Sequence, residues 1–232
     1  MRPPAGPIPC VFLIPLFCFI TSETFAETYI AAQGGVTLPQ PLSSIELTPP
    51  FWPDGTKNSN VALKSSSMYG VKVGHFLKSE PWVGFEAEVF TTTPHIKQQQ
   101  VTVTLPENYV FAGTGTRTMD SNLTGQPFRV TTLAFNEVLR YPGKYFQPYV
   151  GAGLGIFHAQ KRDPRSGMNQ YSLRHGFNAQ AGMRIKATQH LAFFAEWKFN
   201  YTRFHFDEHI PIAGSTVKYN VHHLVAGIGY HF

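Results

Sequence analysis

Leu224-Val225-Ala226-Gly227-Ile228-Gly229-Tyr230-His231-Phe232 alternates without a break: Leu, Ala, Ile, Tyr and Phe share one parity, and Val, Gly, Gly and His share the other. Successive side chains of a strand point to opposite faces, so this stretch is a strand with one apolar face and one small or polar face. Such a strand can set its apolar parity against lipid and its other parity against a packed or wet interior.

The same alternation recurs in eight segments: about 27–37, 66–77, 82–92, 127–141, 145–158, 173–187, 190–204 and 217–232. Each is long enough for the roughly 9 to 11 tilted residues that cross a hydrocarbon layer. Their connections alternate in length. Lys78-Ser79-Glu80-Pro81, Tyr141-Pro142-Gly143-Lys144 and Ala187-Thr188-Gln189 are tight turns, whereas 38–65, 93–126, 159–172 and 205–216 are long and rich in Pro, Gly, Ser, Thr and Asn. Long loops sorted to one side are the mark of a membrane barrel with periplasmic termini, and a soluble secreted sandwich has no reason for that sorting. The second long loop holds Gln99-Val101-Val103-Leu105 and Tyr109-Val110-Phe111 around Pro106-Glu107-Asn108. It reads as a hairpin projecting above the membrane; the alternative is two further strands, ten in all.

Composition agrees. Charged residues make up 14% of the chain and aromatics 14%, with 20 Phe and 10 Tyr; soluble domains carry about 25% charge. After residue 26 there is no run of about 18 apolar residues, which excludes a helical membrane protein. Arg2, the apolar stretch Cys10 to Ile20 and the small-x-small triplet Thr24-Phe25-Ala26 read as a signal peptide cleaved after Ala26. Both cysteines, Cys10 and Cys18, fall inside that signal, so the mature chain has no disulfides, thiolate metal sites or cysteine nucleophiles. Without Arg2 and Glu23 the basic and acidic counts fall from 19 and 14 to 18 and 13, and the net charge stays +5.

The two faces divide sharply. In the third segment Val83, Phe85, Ala87 and Val89 oppose Trp82, Gly84, Glu86 and Glu88; in the seventh, Leu191, Phe193, Ala195, Trp197, Phe199 and Tyr201 oppose Phe194, Glu196, Lys198, Asn200 and Thr202. The sixth sets Phe177, Ala179, Ala181, Met183 and Ile185 against Asn178, Gln180, Gly182, Arg184 and Lys186, and the second places Lys72 between Gly70 and Gly74. An unpaired charge in a desolvated lumen costs about 3–5 kcal/mol, so Glu86, Glu88 and Glu196 should pair with Lys72, Arg184 and Lys198. Gly151, Gly153 and Gly155 share the inner parity of the fifth segment, where missing side chains leave room for long ones from across the barrel. The fourth segment breaks the pattern, because Leu133 and Phe135 share parity with Glu137; it calls for a bulge or a Glu at the periplasmic rim. Tyr141, Tyr145, Tyr149, Trp197, Tyr201 and Tyr230 fall near strand ends, as an interfacial aromatic belt requires.

Arg140-Tyr141-Pro142-Gly143, then Gln147-Pro148-Tyr149-Val150-Gly151-Ala152-Gly153-Leu154-Gly155, Ala195-Glu196-Trp197-Lys198-Phe199 and Gly227-Ile228-Gly229-Tyr230-His231-Phe232 give the chain its resemblance to the OmpA-like outer-membrane β-barrel family. That resemblance implies an eight-stranded up-and-down barrel. It also implies that the terminal aromatics, Tyr230 and Phe232, form part of the signal read by the barrel-assembly machinery. The family includes tethers and adhesins, so it speaks to fold more than to role. No peptidoglycan-binding segment is expected after Phe232.

Metal binding, lipid modification and conduction are the chemistries such a barrel could carry. His205, Asp207, Glu208 and His209 could hold a metal only on a helical turn, because an extended chain separates His205 from His209 by about 13 Å. His222 and His223 point to opposite faces. A lipid-modifying enzyme needs a nucleophile, base and orienting carboxylate at the rim, and the His-x-Ser arrangement of lipid A deacylases is absent: the chain has His-Ala-Gln at 158, His-Gly-Phe at 175 and His-Leu-Ala at 190. A wide pore is excluded because eight strands enclose a space that side chains fill.

The sequence thus predicts an all-β chain with a signal peptide over 1–26. Residues 27–232 form a monomeric, eight-stranded antiparallel up-and-down transmembrane β-barrel, exported through the periplasm to the outer membrane of a Gram-negative bacterium. Catalytic, cofactor and metal residues are not expected, nor is nucleic acid. The expected partners are outer-membrane lipids and lipopolysaccharide, the barrel-assembly machinery and an extracellular ligand at loops 38–65 and 93–126. A non-enzymatic role in envelope integrity or surface interaction is the leading reading, with a lipid-modifying enzyme and a small porin-like conduit as alternatives.

Overall fold

The computed structural model describes residues 27–41, 45–47, 56–59, 61–105, 117–123, 125–162, 167–207 and 215–232. The proposed signal peptide lies outside the described residues. In chain order the strands are β1 (Glu27–Pro39), β2 (Ile45–Leu47), β3 (Thr56–Ser59), β4 (Leu63–Lys64), β5 (Ser66–Phe76), β6 (Val83–Thr92), β7 (His95–Ile96), β8 (Gln99–Leu105), β9 (Arg117–Leu123), β10 (Gln126–Arg140), β11 (Phe146–Arg162), β12 (Asn169–Lys186), β13 (Leu191–Phe206) and β14 (Ser215–His231).

The eight long strands pair antiparallel in the order β1-β5-β6-β10-β11-β12-β13-β14, and β1 pairs again with β14 from Tyr29↔His231 to Pro39↔Val221. The sheet therefore closes on itself as an eight-stranded barrel, which removes the unpaired edges that lipid would not tolerate. Side-chain alternation sorts the two faces: Lys72, Glu86, Glu88, Asn136, Asn178, Gln180, Glu196 and Lys198 are buried, while Ile30, Val71, Val89, Leu154, Phe193, Leu224 and Ile228 are exposed.

β10 keeps an unbroken register with both neighbours, from Val130↔Thr92 to Leu139↔Val83 and from Phe128↔Lys161 to Arg140↔Tyr149. No bulge interrupts it, so Glu137 stays on the exposed outer face between Phe85 and Ala152, three residues above the turn. Two further sequence expectations need correction. Tyr149 and Trp197 do not belong to the interfacial belt: Tyr149 shares parity with Gly151 and is buried in the lumen, and Trp197 faces outward near the middle of β13, away from its ends. Trp82 lies in the turn before β6 and is exposed there, its Nε1 donating to Glu80 Oε2 at 2.5 Å.

The last four strands are longer than the membrane needs. Sixteen residues of β13 rise about 40 Å along the barrel axis at a tilt near 40°, against an apolar band of about 25 Å. Hence β11 and β12 run on to Arg162 and from Asn169, through residues whose polarity had suggested a loop over 159–172. These residues are polar because they stand above the membrane.

Above the band the wall divides. The β12–β13 ladder stops at Gly176↔Thr202, whereas β11–β12 continues to Arg162↔Asn169 and β13–β14 to Phe206↔Ser215. β1 leaves β14 after Pro39↔Val221, and β2 takes over its edge from Val217↔Ile45 to Ser215↔Leu47. Two sheets result, β4-β7-β10-β11-β12 and β13-β14-β2-β3-β8-β9. Phe128 of the first packs on Phe204, Phe206 and Tyr219 of the second at ring-centroid distances of 6.0, 6.4 and 6.0 Å. The second long loop contributes the β8–β9 hairpin, whose return arm is Arg117–Leu123; Tyr109-Val110-Phe111 lies outside the described residues. The hairpin joins this upper sheet through β3, and the barrel keeps eight strands.

Candidate functional site

The lumen is assembled from rings laid on glycines. Tyr29 opposes Gly74, Phe76 opposes Gly84, Tyr149 opposes Gly182 and Phe194 opposes Gly227 in the ladders. In each pair a Cβ on the glycine would fall within 2.8 Å of the ring. An aromatic lying flat over a neighbouring glycine covers exposed backbone and fixes its own direction. The glycines of β11 also make room for neighbours instead of residues across the barrel: a Cβ at Gly151 would meet Gln180, and one at Gly153 would meet Asn136.

These rings aim polar groups at the barrel axis. Lys72 Nζ lies 2.7 Å from Glu196 Oε2 and 3.3 Å from Glu86 Oε2. Lys198 Nζ pairs with Glu88 and lies 2.7 Å from Glu196 Oε1. Tyr29 donates to Glu86, and Tyr149 donates to Glu196 Oε2 at 2.5 Å. Gln180 Nε2 donates to Glu86 Oε1 at 2.9 Å, while Glu88 accepts from Gln33, Asn136 and Asn178 at 3.0, 3.2 and 3.2 Å. Five of the six charged residues singled out in the sequence thus meet in one network. Arg184 stands apart, its guanidinium 4.1 Å from the Tyr29 ring centroid and without an ion pair among the described residues. Three carboxylates and three cations leave this section of lumen neutral, which offsets much of the cost of desolvating each charge.

A second ionic knot sits at the periplasmic mouth; its members come from four separate strand ends, which no local pattern brings together. Glu27 is 2.5 Å from Arg140, 2.9 Å from Lys186 and 2.8 Å from His231. Above the central network comes a hydroxyl layer: Thr37 bonds Thr92 at 2.6 Å and His223 Nδ1 at 2.9 Å. Above that lies the apolar core between the two sheets, with Val61, Phe157, Phe204, Phe206 and Val221 fully buried. Charge, hydroxyl and hydrocarbon follow one another along the axis.

His205 Nδ1 meets Thr216 Oγ1 at 2.9 Å, and its Nε2 lies 3.5 Å from Asp207 Oδ1. Hydroxyl, imidazole and carboxylate stand in a row, but His205 and Thr216 are direct ladder partners, so the register alone accounts for the hydrogen bond. Glu208 and His209 lie outside the described residues, and among the described residues no three His, Cys, Asp or Glu side chains converge on a metal position. His222 and His223 take opposite faces, His223 inward against Thr37 and His222 outward against Trp197 with ring centroids 5.5 Å apart. Tyr230 and Phe232, which the resemblance assigns to assembly, are exposed and pack edge to face at 5.2 Å.

Solved outer-membrane proteins align with the chain over most of their length. Neisserial surface protein A aligns with a TM-score of 0.50 at 13% identity, covering 88% of this chain and 97% of that one. OprG of Pseudomonas aeruginosa gives 0.49 at 17% identity over 88% and 95%, and the attachment invasion locus protein Ail of Yersinia pestis gives 0.49 at 12% over 90% and 100%. At such identities the likeness is one of fold. Among proteins with curated functions, none matches the chain in sequence. Residues 51–232 match the Outer membrane protein beta-barrel domain. The chain belongs to that family, as a barrel of the Gram-negative outer membrane.

Proposed function

We propose that the protein is a non-enzymatic barrel that serves envelope integrity or surface interaction through its extracellular two-sheet cap. The observation that carries this reading is the division of the wall above Gly176↔Thr202 into two sheets packed on an apolar core. A conduit gains nothing from a hydrocarbon seal across its axis, whereas a contact surface gains a rigid platform for the β8–β9 hairpin. The neutral, hydrogen-bonded ion network beneath the seal supports the same reading, since its acids and bases are engaged with one another.

The test is complementation of a strain lacking the protein. The full chain should restore detergent resistance or surface adherence, and a variant with residues 99–123 replaced by a short Gly-Ser turn should insert as a folded barrel yet fail to restore it. Full rescue by the shortened barrel would remove the cap from the function. Discrete conductance steps in a planar bilayer would favour the conduit, and a changed lipid A mass spectrum on deletion would favour the enzyme.

A further inference from the structure

We infer that the outer face of β13 and β14, just above the apolar band, docks a phosphorylated glycolipid headgroup of the outer leaflet, lipid A, between Arg203 and Lys218. The position comes first. The outward residues of β13 run Leu191, Phe193, Ala195, Trp197, Phe199, Tyr201 and then Arg203. From Leu191 to Tyr201 the strand climbs about 25 Å at the usual tilt, the height of the apolar band, so the next outward side chain enters the headgroup layer. β14 reads the same way in reverse, from Tyr230, Ile228 and Leu224 to His222, Asn220 and Lys218.

Arg203 and Lys218 are direct ladder partners, and both are exposed. Two cations placed opposite each other on one face repel, unless an anion lies between them. Neither has a carboxylate partner among the described residues; Arg203 Nε donates only to the Tyr201 hydroxyl, at 3.2 Å. Of the nearby acids, Asp207 stands against His205, and Glu46 is the ladder partner of Thr216, offset from Lys218 by two residues along β14. The flanking pairs are also suited to a sugar phosphate. His205 and Thr216 sit one outward step above, Tyr201 and Asn220 one step below, and they offer hydroxyl, imidazole and amide groups to sugar hydroxyls. Arg takes a phosphate through paired N–H donors and Lys adds a point charge. Below the cations, Trp197, Phe199 and Leu224 give acyl chains an apolar wall. Arg129 on β10 makes the contrast, being an exposed outward cation whose ladder partner is Gln160.

Binding to the full chain in detergent, followed by native mass spectrometry, tests this with bisphosphorylated lipid A and its fully dephosphorylated counterpart as probes. The protein should prefer the phosphorylated form by about thirtyfold, the sum expected of two interfacial cations. Arg203→Ala with Lys218→Ala should abolish the preference while the unboiled protein still migrates as a folded barrel, and Arg129→Ala should retain it. Should the double variant fail to fold, Lys218→Glu alone should give the same loss. The inference is overturned if the wild type shows no preference, if both variants keep it, or if millimolar inorganic phosphate displaces the lipid, which would mean a simple anion site. Neither residue lies in the 99–123 hairpin, so this outcome and that of the cap complementation are independent.

Discussion

Lys72 Nζ and Glu196 Oε2 lie 2.7 Å apart across the lumen, on strands that share no ladder. Glu196 also holds Lys198 through its other oxygen and accepts from Tyr149, so one carboxylate joins β5, β11 and β13 through the barrel's interior. Breaking a buried pair by removing one partner costs more than the pair contributes, because a desolvated charge is left behind.

Glu196→Ala should therefore lower barrel stability by about 3–5 kcal/mol. The measurement is the urea midpoint of the detergent- or vesicle-folded barrel, read from the fraction that resists unfolding without boiling. An unchanged midpoint would mean that Lys72 and Lys198 are hydrated independently of Glu196.

The ring-on-glycine pairs give a second expectation. A Cβ at Gly182 would sit 2.8 Å from the Tyr149 hydroxyl and 2.7 Å from the Ala195 carbonyl oxygen. Gly182→Ala should push the phenol away from Glu196 and cost about 1–3 kcal/mol, the usual penalty of overpacking. Gly34→Ala is the control, since its nearest neighbour is the Met68 carbonyl oxygen at 3.8 Å. Equal midpoints for the two variants would show that Tyr149 tolerates displacement.

Strand periodicity made the barrel, its inner residues and its closure readable from residue order, because a two-residue repeat assigns every side chain to a face. Three features escaped that reading. Residue type assigns Tyr149 to an aromatic belt, although its parity with Gly151 points inward. The ends of β11 and β12 look like loop in the sequence because Lys161, Arg162, Asn169 and Gln170 are polar, a property of standing in water and not of lacking structure. The division into two sheets depends on where the β12–β13 ladder stops and on β2 replacing β1 beside β14, and both are long-range pairings that no local pattern encodes. Of the charged set, Arg184 has the right parity, yet its neighbours Tyr29, Phe76 and Tyr149 form an aromatic box around it.

Glu137 supplies a test of the membrane face. It is exposed to lipid between Phe85 and Ala152, about 8 Å above the periplasmic turn at the usual strand rise and tilt. A carboxylate so near the interface is tolerated at small cost, so Glu137→Leu should raise the urea midpoint by the equivalent of up to about 1 kcal/mol. A loss of stability would place Glu137 in an interaction outside the apolar band.

The last expectation concerns the seam where β12 and β13 part. Above Gly176↔Thr202 the two edges are joined by side chains in place of a ladder: Thr202 Oγ1 donates to the His175 carbonyl at 2.9 Å, the His205 amide donates to Ser172 Oγ at 3.2 Å, and Gln170 Nε2 donates to the Asp207 carbonyl at 2.9 Å. The β14 side of the same stretch of β13 keeps its full ladder to Phe206↔Ser215. Amides alternate in direction along an antiparallel strand, so Arg203 and His205 face the seam while Phe204 and Phe206 face β14. Isolated side-chain bonds open more readily than a cooperative ladder. Hydrogen exchange should therefore run faster at Arg203 and His205 than at Phe204 and Phe206, and Ser172→Ala should accelerate His205 further. Uniform protection along all four would mean that β12 and β13 close into a ladder in the membrane and that the cap is a continuous wall.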